Sequence, residues 1–222
     1  MIDQLQIGNK FSYDDFEANV KERVIGSPPK KTVKDTVPFS NITYDFSKID
    51  GELYWEERPL EYVLEMDATT PEELEEKKLD FKTWVMNVFE EELHDPFIED
   101  YHFIATFNDI VFDDSEIEKT TVTVTFSAYP FMIANTKRAF EFTIPTDAEV
   151  EVKIENDSSH RITPTLTASV PVSFKYNGTT FSMASGETTD DSFRLEAGTN
   201  TVTIQPVSTG GTLKVEFLEE VF

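Results

Sequence analysis

The sequence predicts a mainly β protein with one long helix, divided into two domains. Three observations carry this. Short runs rich in Val, Ile, Thr and aromatic residues recur between turn residues throughout the chain. One stretch alone joins a helix start signal to apolar residues at three- and four-residue steps. Past residue 140 the composition becomes poorer in charge and richer in Thr, Ser and Gly, which places a boundary between domains 1–140 and 141–222.

Up to residue 67 the candidate strands are 21–25, 32–37, 41–46, 53–58 and 60–66, punctuated by Pro28-Pro29, Pro38 and Asp50-Gly51. The helix opens at Thr70-Pro71-Glu72-Glu73. Thr70 is the N-cap, Pro71 takes the first helical position, and Glu73 closes a capping box. Leu74, Phe81, Trp84, Val85, Val88 and Phe89 form one apolar face, and Asp95-Pro96 is the stop signal, so the helix is predicted over 71–93. Strands return at 101–107 and 119–128. In the second of these Val122, Val124 and Phe126 share a face, and Tyr129-Pro130-Phe131 ends it. In the C-terminal part, strands 172–176 and 179–183 flank Asn177-Gly178, a strong hairpin signal. A second turn at 197–200 and strands 201–205 and 212–218 complete a ladder with the spacing of a β-sandwich.

The charge excludes one function class. There are 43 acidic residues against 19 basic ones, a net charge of −24, and the excess is spread over both parts. Such a surface has few cations with which to displace counterions from DNA, so specific nucleic-acid binding is not expected. Cysteine is absent, which excludes disulfides and zinc–thiolate sites. The first twenty residues lack the basic start and apolar run of a secretory signal, and no stretch has the length of a membrane span.

Catalytic patterns are thin. No Gly-rich phosphate loop or nucleophile elbow occurs, and His94, His102 and His160 have no metal-ligand spacing. Asp113, Asp114, Glu116 and Glu118 lack the alternation and central Gly of a calcium loop. Paired carboxylates, as in glycosidases, carry little information in a chain with 43 acids. A sugar-binding sandwich needs exposed aromatic faces. Trp55 and Trp84 both precede the C-terminal domain, whose single tyrosine is Tyr176.

The order of elements resembles the distal tail protein family of siphophages and related prophages. Gly51-Glu52-Leu53 after Ile49-Asp50 is similar to that family's turn between strands. Arg58 with 60–66, Phe81-Lys82-Thr83-Trp84-Val85 in the helix, Tyr101-His102-Phe103-Ile104-Ala105, and the strand 122–131 ending in Pro130-Phe131 follow its sequence of elements. Asn177-Gly178, the segment 195–200 and the last strand resemble its C-terminal domain. In one turn the family's Asn-x-Gly-Thr is replaced by Glu155-Asn156-Asp157-Ser158-Ser159, without the Gly.

The resemblance implies a β-barrel-like or split-barrel N-terminal domain with one belt helix, and a galectin-like C-terminal β-sandwich. It implies a non-enzymatic structural protein of the virion tail tip, made in the bacterial host cytoplasm and bound to no cofactor, metal or membrane. Six copies would form a ring joining the tail tube to the baseplate hub. The implied partners are further copies, the tail-tube protein, a tail-associated lysin or hub, and a receptor-binding protein, with DNA passing through the channel. Within that frame Lys30, Lys31 and Lys34, the one notable basic cluster, are candidates to pair with a neighbouring subunit's carboxylates, or form a solvated segment. Trp84 and Phe131 are the other candidate contacts. A carbohydrate-binding sandwich without catalysis and an acidic sandwich hydrolase are the alternative readings.

Overall fold

The computed structural model describes residues 3–36, 38–39, 41–48, 51–113 and 116–222, and the chain divides into two compact units. The first comprises residues 1–132 with Phe222, the second residues 133–221. The division falls eight residues before the boundary at 140/141, which would cut through a strand of the second unit.

In chain order the first unit carries β1 (Gln6–Ile7), β2 (Lys10–Phe11), β3 (Asn19–Ile25), β4 (Lys34–Thr36), β5 (Thr43–Asp45), β6 (Arg58–Asp67), α1 (Pro71–Met86), β7 (Glu91–His94), β8 (Tyr101–Asp113) and β9 (Lys119–Ala128). Its sheet runs in the order β2-β1-β7-β8-β9-β6-β3. The path has two ends and does not close, so of the barrel-like and split-barrel forms that the resemblance implies the strands build an open, antiparallel one. Strict alternation builds its core. Leu60, Tyr62, Leu64 and Met66 of β6 are buried and lie opposite Phe126, Val124, Val122 and Thr120 of β9. Each such large apolar side chain stabilises by about 1.5–3 kcal/mol on burial. Bulges between Val20 and Glu22 and between Phe107 and Asp109 interrupt the ladders.

The helix starts where the sequence places it. Thr70 Oγ1 accepts from the Glu73 amide at 3.3 Å, while Glu73 reaches back to the Thr69 amide at 3.0 Å, one residue before the reciprocal partner of a capping box. Leu74, Phe81 and Val85 are buried. The helix ends at Met86, not at residue 93. Asn87 caps it, its Nδ2 donating to the Thr83 carbonyl at 2.6 Å. Glu90 then takes a left-handed φ of 52° and the chain enters β7. Leu93 is buried from a strand, whose inward positions happen to continue the helical spacing. Asp95 is therefore no helix stop. Its buried carboxylate accepts from Arg23 Nε at 3.0 Å and from the Phe97 amide at 3.0 Å.

The predicted strand at 53–58 is absent up to Glu57. Residues 29–31 and 54–56 run side by side with a single bridge, Lys30 to Trp55, because Pro28 and Pro29 lack the amides a ladder needs. Val37 and Ile49-Asp50, inside the predicted strand 32–37 and the family-like turn, lie outside the described residues, as does Asp114 of the acidic cluster.

After β10 (Met132–Ala134) the second unit continues with β11 (Arg138–Ile144), β12 (Val150–Asn156), β13 (Thr165–Ala168), β14 (Val172–Tyr176), β15 (Thr179–Met183), β16 (Gly186–Thr189), β17 (Gly198–Ile204), β18 (Gly211–Phe217) and β19 (Glu220–Val221). Two four-stranded antiparallel sheets, β11-β18-β13-β16 and β12-β17-β14-β15, enclose one apolar core, a β-sandwich. Asn177 and Gly178 both have positive φ, 47° and 79°, as a type I′ hairpin requires. The turn after β12 that lacks the family's Gly is held by buried Asn156. Its Nδ2 donates to the carbonyls of His160, Leu195 and Glu196 at 3.1–3.2 Å, and its Oδ1 accepts from the Ser158 amide at 3.0 Å.

Candidate assembly surface

The largest anomaly of the first unit is a hairpin with no core beneath it. Among the described residues β4 and β5 pair only with each other, through Lys34–Asp45, Asp35–Tyr44 and Thr36–Thr43, and all six residues are exposed. An isolated two-stranded hairpin is marginal in water. Local bonds hold this one. The Phe46 amide donates to the Val33 carbonyl at 2.8 Å, and the Val33 amide donates to Ser47 Oγ at 2.8 Å. Ser47 hydrogen bonds, aided by the charge of Lys34, keep the Asp45 carboxyl below its ordinary range.

The arm is apolar where a solvated loop would be polar. On one of its faces Tyr44 and Phe46 stack with ring centroids 6.3 Å apart and remain 48% and 44% exposed, with Val33 exposed beside them. Ile42, Leu53 and Tyr54 are exposed in the same segment. Further exposed apolar side chains are Leu79 and Met86 on α1, Phe89 after it, Phe97, and Val111 and Ile117 at the distal part of the β8–β9 hairpin. Among the described residues the second unit exposes a single large apolar side chain, Val150. Large apolar side chains left exposed in such number make the first unit the candidate surface for docking another protein.

The sequence-derived candidates divide. Lys30, Lys31 and Lys34 all lie exposed on this arm, and Lys34 Nζ stands 4.0 Å from Asp45 of its own chain. Trp84 is half-buried, stacked on Phe16 at 4.7 Å and edge-on to Phe81 at 5.5 Å, so much of its face already serves the core. Phe131 is 6% exposed and packs against Tyr129 and Phe222. Tyr44 and Phe46 were hidden from sequence reasoning by their ordinary strand pattern, which does not reveal that the strand has no sheet to join. Phe89 belongs to the helical apolar face by spacing, yet is 69% exposed because the helix ends before it.

The rings of His94 and His102 lie 5.1 Å apart, tilted to each other, near Glu92, and His160 Nε2 lies 2.8 Å from a Glu220 carboxylate oxygen. No group of three or more potential ligands occurs among the described residues. Tyr176 is buried, its hydroxyl donating to Asn200 Oδ1 at 2.5 Å, so its ring offers no stacking face to a sugar.

No protein-family model and no curated protein matches the chain. Two chains of the phage p2 baseplate in its activated conformation, one with Sr and one with Ca, align over 98% and 97% of this chain at 10% and 11% identity. Their TM-scores of 0.41 and 0.36 are too low to support an argument. The SPP1 Dit (gp 19.1) protein, described as a paradigm of the hub adsorption apparatus in phages infecting Gram-positive bacteria, aligns over 100% of both chains with a TM-score of 0.72 at 11% identity. The open sheet with its single helix, followed by the β-sandwich, is thus the fold of the SPP1 Dit protein along the entire chain.

Proposed function

We propose that this protein is a structural component of a phage or prophage tail tip. Six copies form a ring between the tail tube and the baseplate or fibre hub. The observation that carries the reading is the full-length likeness to the SPP1 Dit protein. The exposed apolar arm and helix face support it independently, since a ring needs surfaces that only neighbours cover. The first unit supplies the ring. The second, with its covered core, serves as a carrier for receptor-binding proteins. The role needs no catalytic centre and no cofactor. Residues 1–140, with 30 acidic and 14 basic residues, give the channel an acidic wall past which DNA moves without adhering.

The test is assembly. Six-fold rings in electron micrographs, alone or with the tail-tube protein, are the expected result; a chain that stays monomeric even with its neighbouring tail proteins overturns the reading. Replacing Lys30, Lys31 and Lys34 together by Glu is expected to lower the mass measured by light scattering. An unchanged mass removes the lysine cluster from the interface.

A further inference from the structure

Arg58 opens β6 and is only 3% exposed. Its Nε has no hydrogen-bond partner, and Arg58 forms no ion pair among the described residues. The Phe103 ring lies 5.7 Å from its guanidinium carbon. Burial pulls its pKa down, yet a guanidinium stays charged in proteins. A charge withdrawn from water without a counter-ion is strongly unfavourable, and proteins rarely keep one unless something neutralises it. Arg58 lines a cavity of about 430 Å³ in the first unit, whose other walls include Ile25, Pro28, Trp55 and Ile98. An apolar hollow with one convergent cation is built for an apolar group that carries an anion.

The chain presents such a group. β4 and β5 have two faces, because side chains alternate along a strand. Lys34 and Asp45 share one face and are already near each other. Val33, Asp35, Tyr44 and Phe46 share the other. Asp35 lies directly opposite Tyr44 and forms no ion pair among the described residues. Directly opposed side chains stand about 4.5–5.5 Å apart at Cβ, so one hollow can take both an aromatic ring and the neighbouring carboxylate.

We propose that the Arg58 cavity is a socket for the β4–β5 arm of a second copy, with Asp35 pairing to Arg58 and Tyr44 entering between Trp55 and Ile98. The proposal rests on the self-assembly reading above and specifies one contact of it. The socket sits at the base of the arm, where Trp55 bridges Lys30, and the inserted face lies farther along it. Two different patches therefore meet. Such a contact is heterologous and propagates head to tail until rotation closes it into a ring.

The native chain has no cysteine, which makes crosslinking a clean test. Chains carrying Tyr44→Cys and Ser27→Cys, the latter at the cavity wall, are mixed under mild oxidation. The mixture is expected to give a covalent heterodimer, reduced at least tenfold in yield when Arg58→Met is added to the socket chain or Asp35→Asn to the arm chain. Arg58→Met is expected to melt no lower than the wild type, since it removes an unpaired buried charge, so a lost crosslink is not a lost fold. Rings in micrographs without the heterodimer overturn the socket and leave the ring standing. The heterodimer without rings keeps the socket and overturns the ring. A heterodimer indifferent to Asp35 and Arg58 also overturns the socket.

Discussion

Single residues fix several local geometries. Gly26 is held by its neighbour, its amide donating to the Pro59 carbonyl at 2.9 Å. A Cβ there would lie 2.9 Å from that backbone oxygen and 2.6 Å from the Pro59 ring, closer than real contacts allow. Gly26→Ala is therefore expected to destabilise by about 1–3 kcal/mol, read as a lower midpoint in urea at unchanged slope. An unchanged midpoint would mean that β3 and β6 separate freely at this end. Asn200 shows the same dependence on surroundings. Its amide donates to the carbonyls of Glu196 and Gly198 at 2.8 and 2.9 Å while its Oδ1 accepts from Tyr176. This closed network explains why the only tyrosine of the sandwich is structural and not a sugar platform.

Between elements, charge ties the central strands. Glu65 of β6 accepts from Lys119 of β9 at 2.7 Å and pairs with Lys21 of β3 at 3.1 Å. The Lys119 hydrogen bond, with that of Lys21, holds the Glu65 carboxyl below its ordinary range. A depressed folded-state pKa stabilises the fold above the unfolded value and loses that contribution as pH falls through the folded one. Glu65→Gln is thus expected to lower Tm by about 1–3 °C at pH 7 and by progressively less as the pH drops below 4. A difference that persists at acid pH would assign the effect to packing. The helix shows a different division. Its start is encoded in four consecutive residues. Its end is set by Asn87 and by the demand of β7 for a place in the sheet.

For the whole molecule the net charge of −24 is the governing quantity. Self-repulsion of that size opposes both compaction and the approach of further copies. Raising ionic strength from about 10 mM to about 150 mM shortens the screening length from roughly 30 Å to roughly 8 Å. Tm is expected to rise by a few degrees over that range in differential scanning calorimetry, and ring formation to become more favourable. A falling Tm would show that ion pairs such as Arg23–Asp95 outweigh the repulsion. Assembly in this reading depends on apolar docking that overcomes like charge, which is why so many large side chains stay exposed on the first unit.

Alternation and turn chemistry let the sequence by itself determine the β class, the strand at Lys119–Ala128 with its buried face, the helix start at Thr70 and the Asn177-Gly178 hairpin. These features depend on neighbours within a few residues, and local sterics and hydrogen bonds decide them. Only the tertiary structure decided that the N-terminal sheet stays open, that the helix yields to β7 at Met86, and that β11 joins the second unit. It alone left β4 and β5 paired with each other apart from the main sheet, and Arg58 buried with no ion pair among the described residues. The physical reason is common to all of these. A strand pattern states that one face wants covering, but what covers it, and which charge meets a partner, depends on residues far away in the chain.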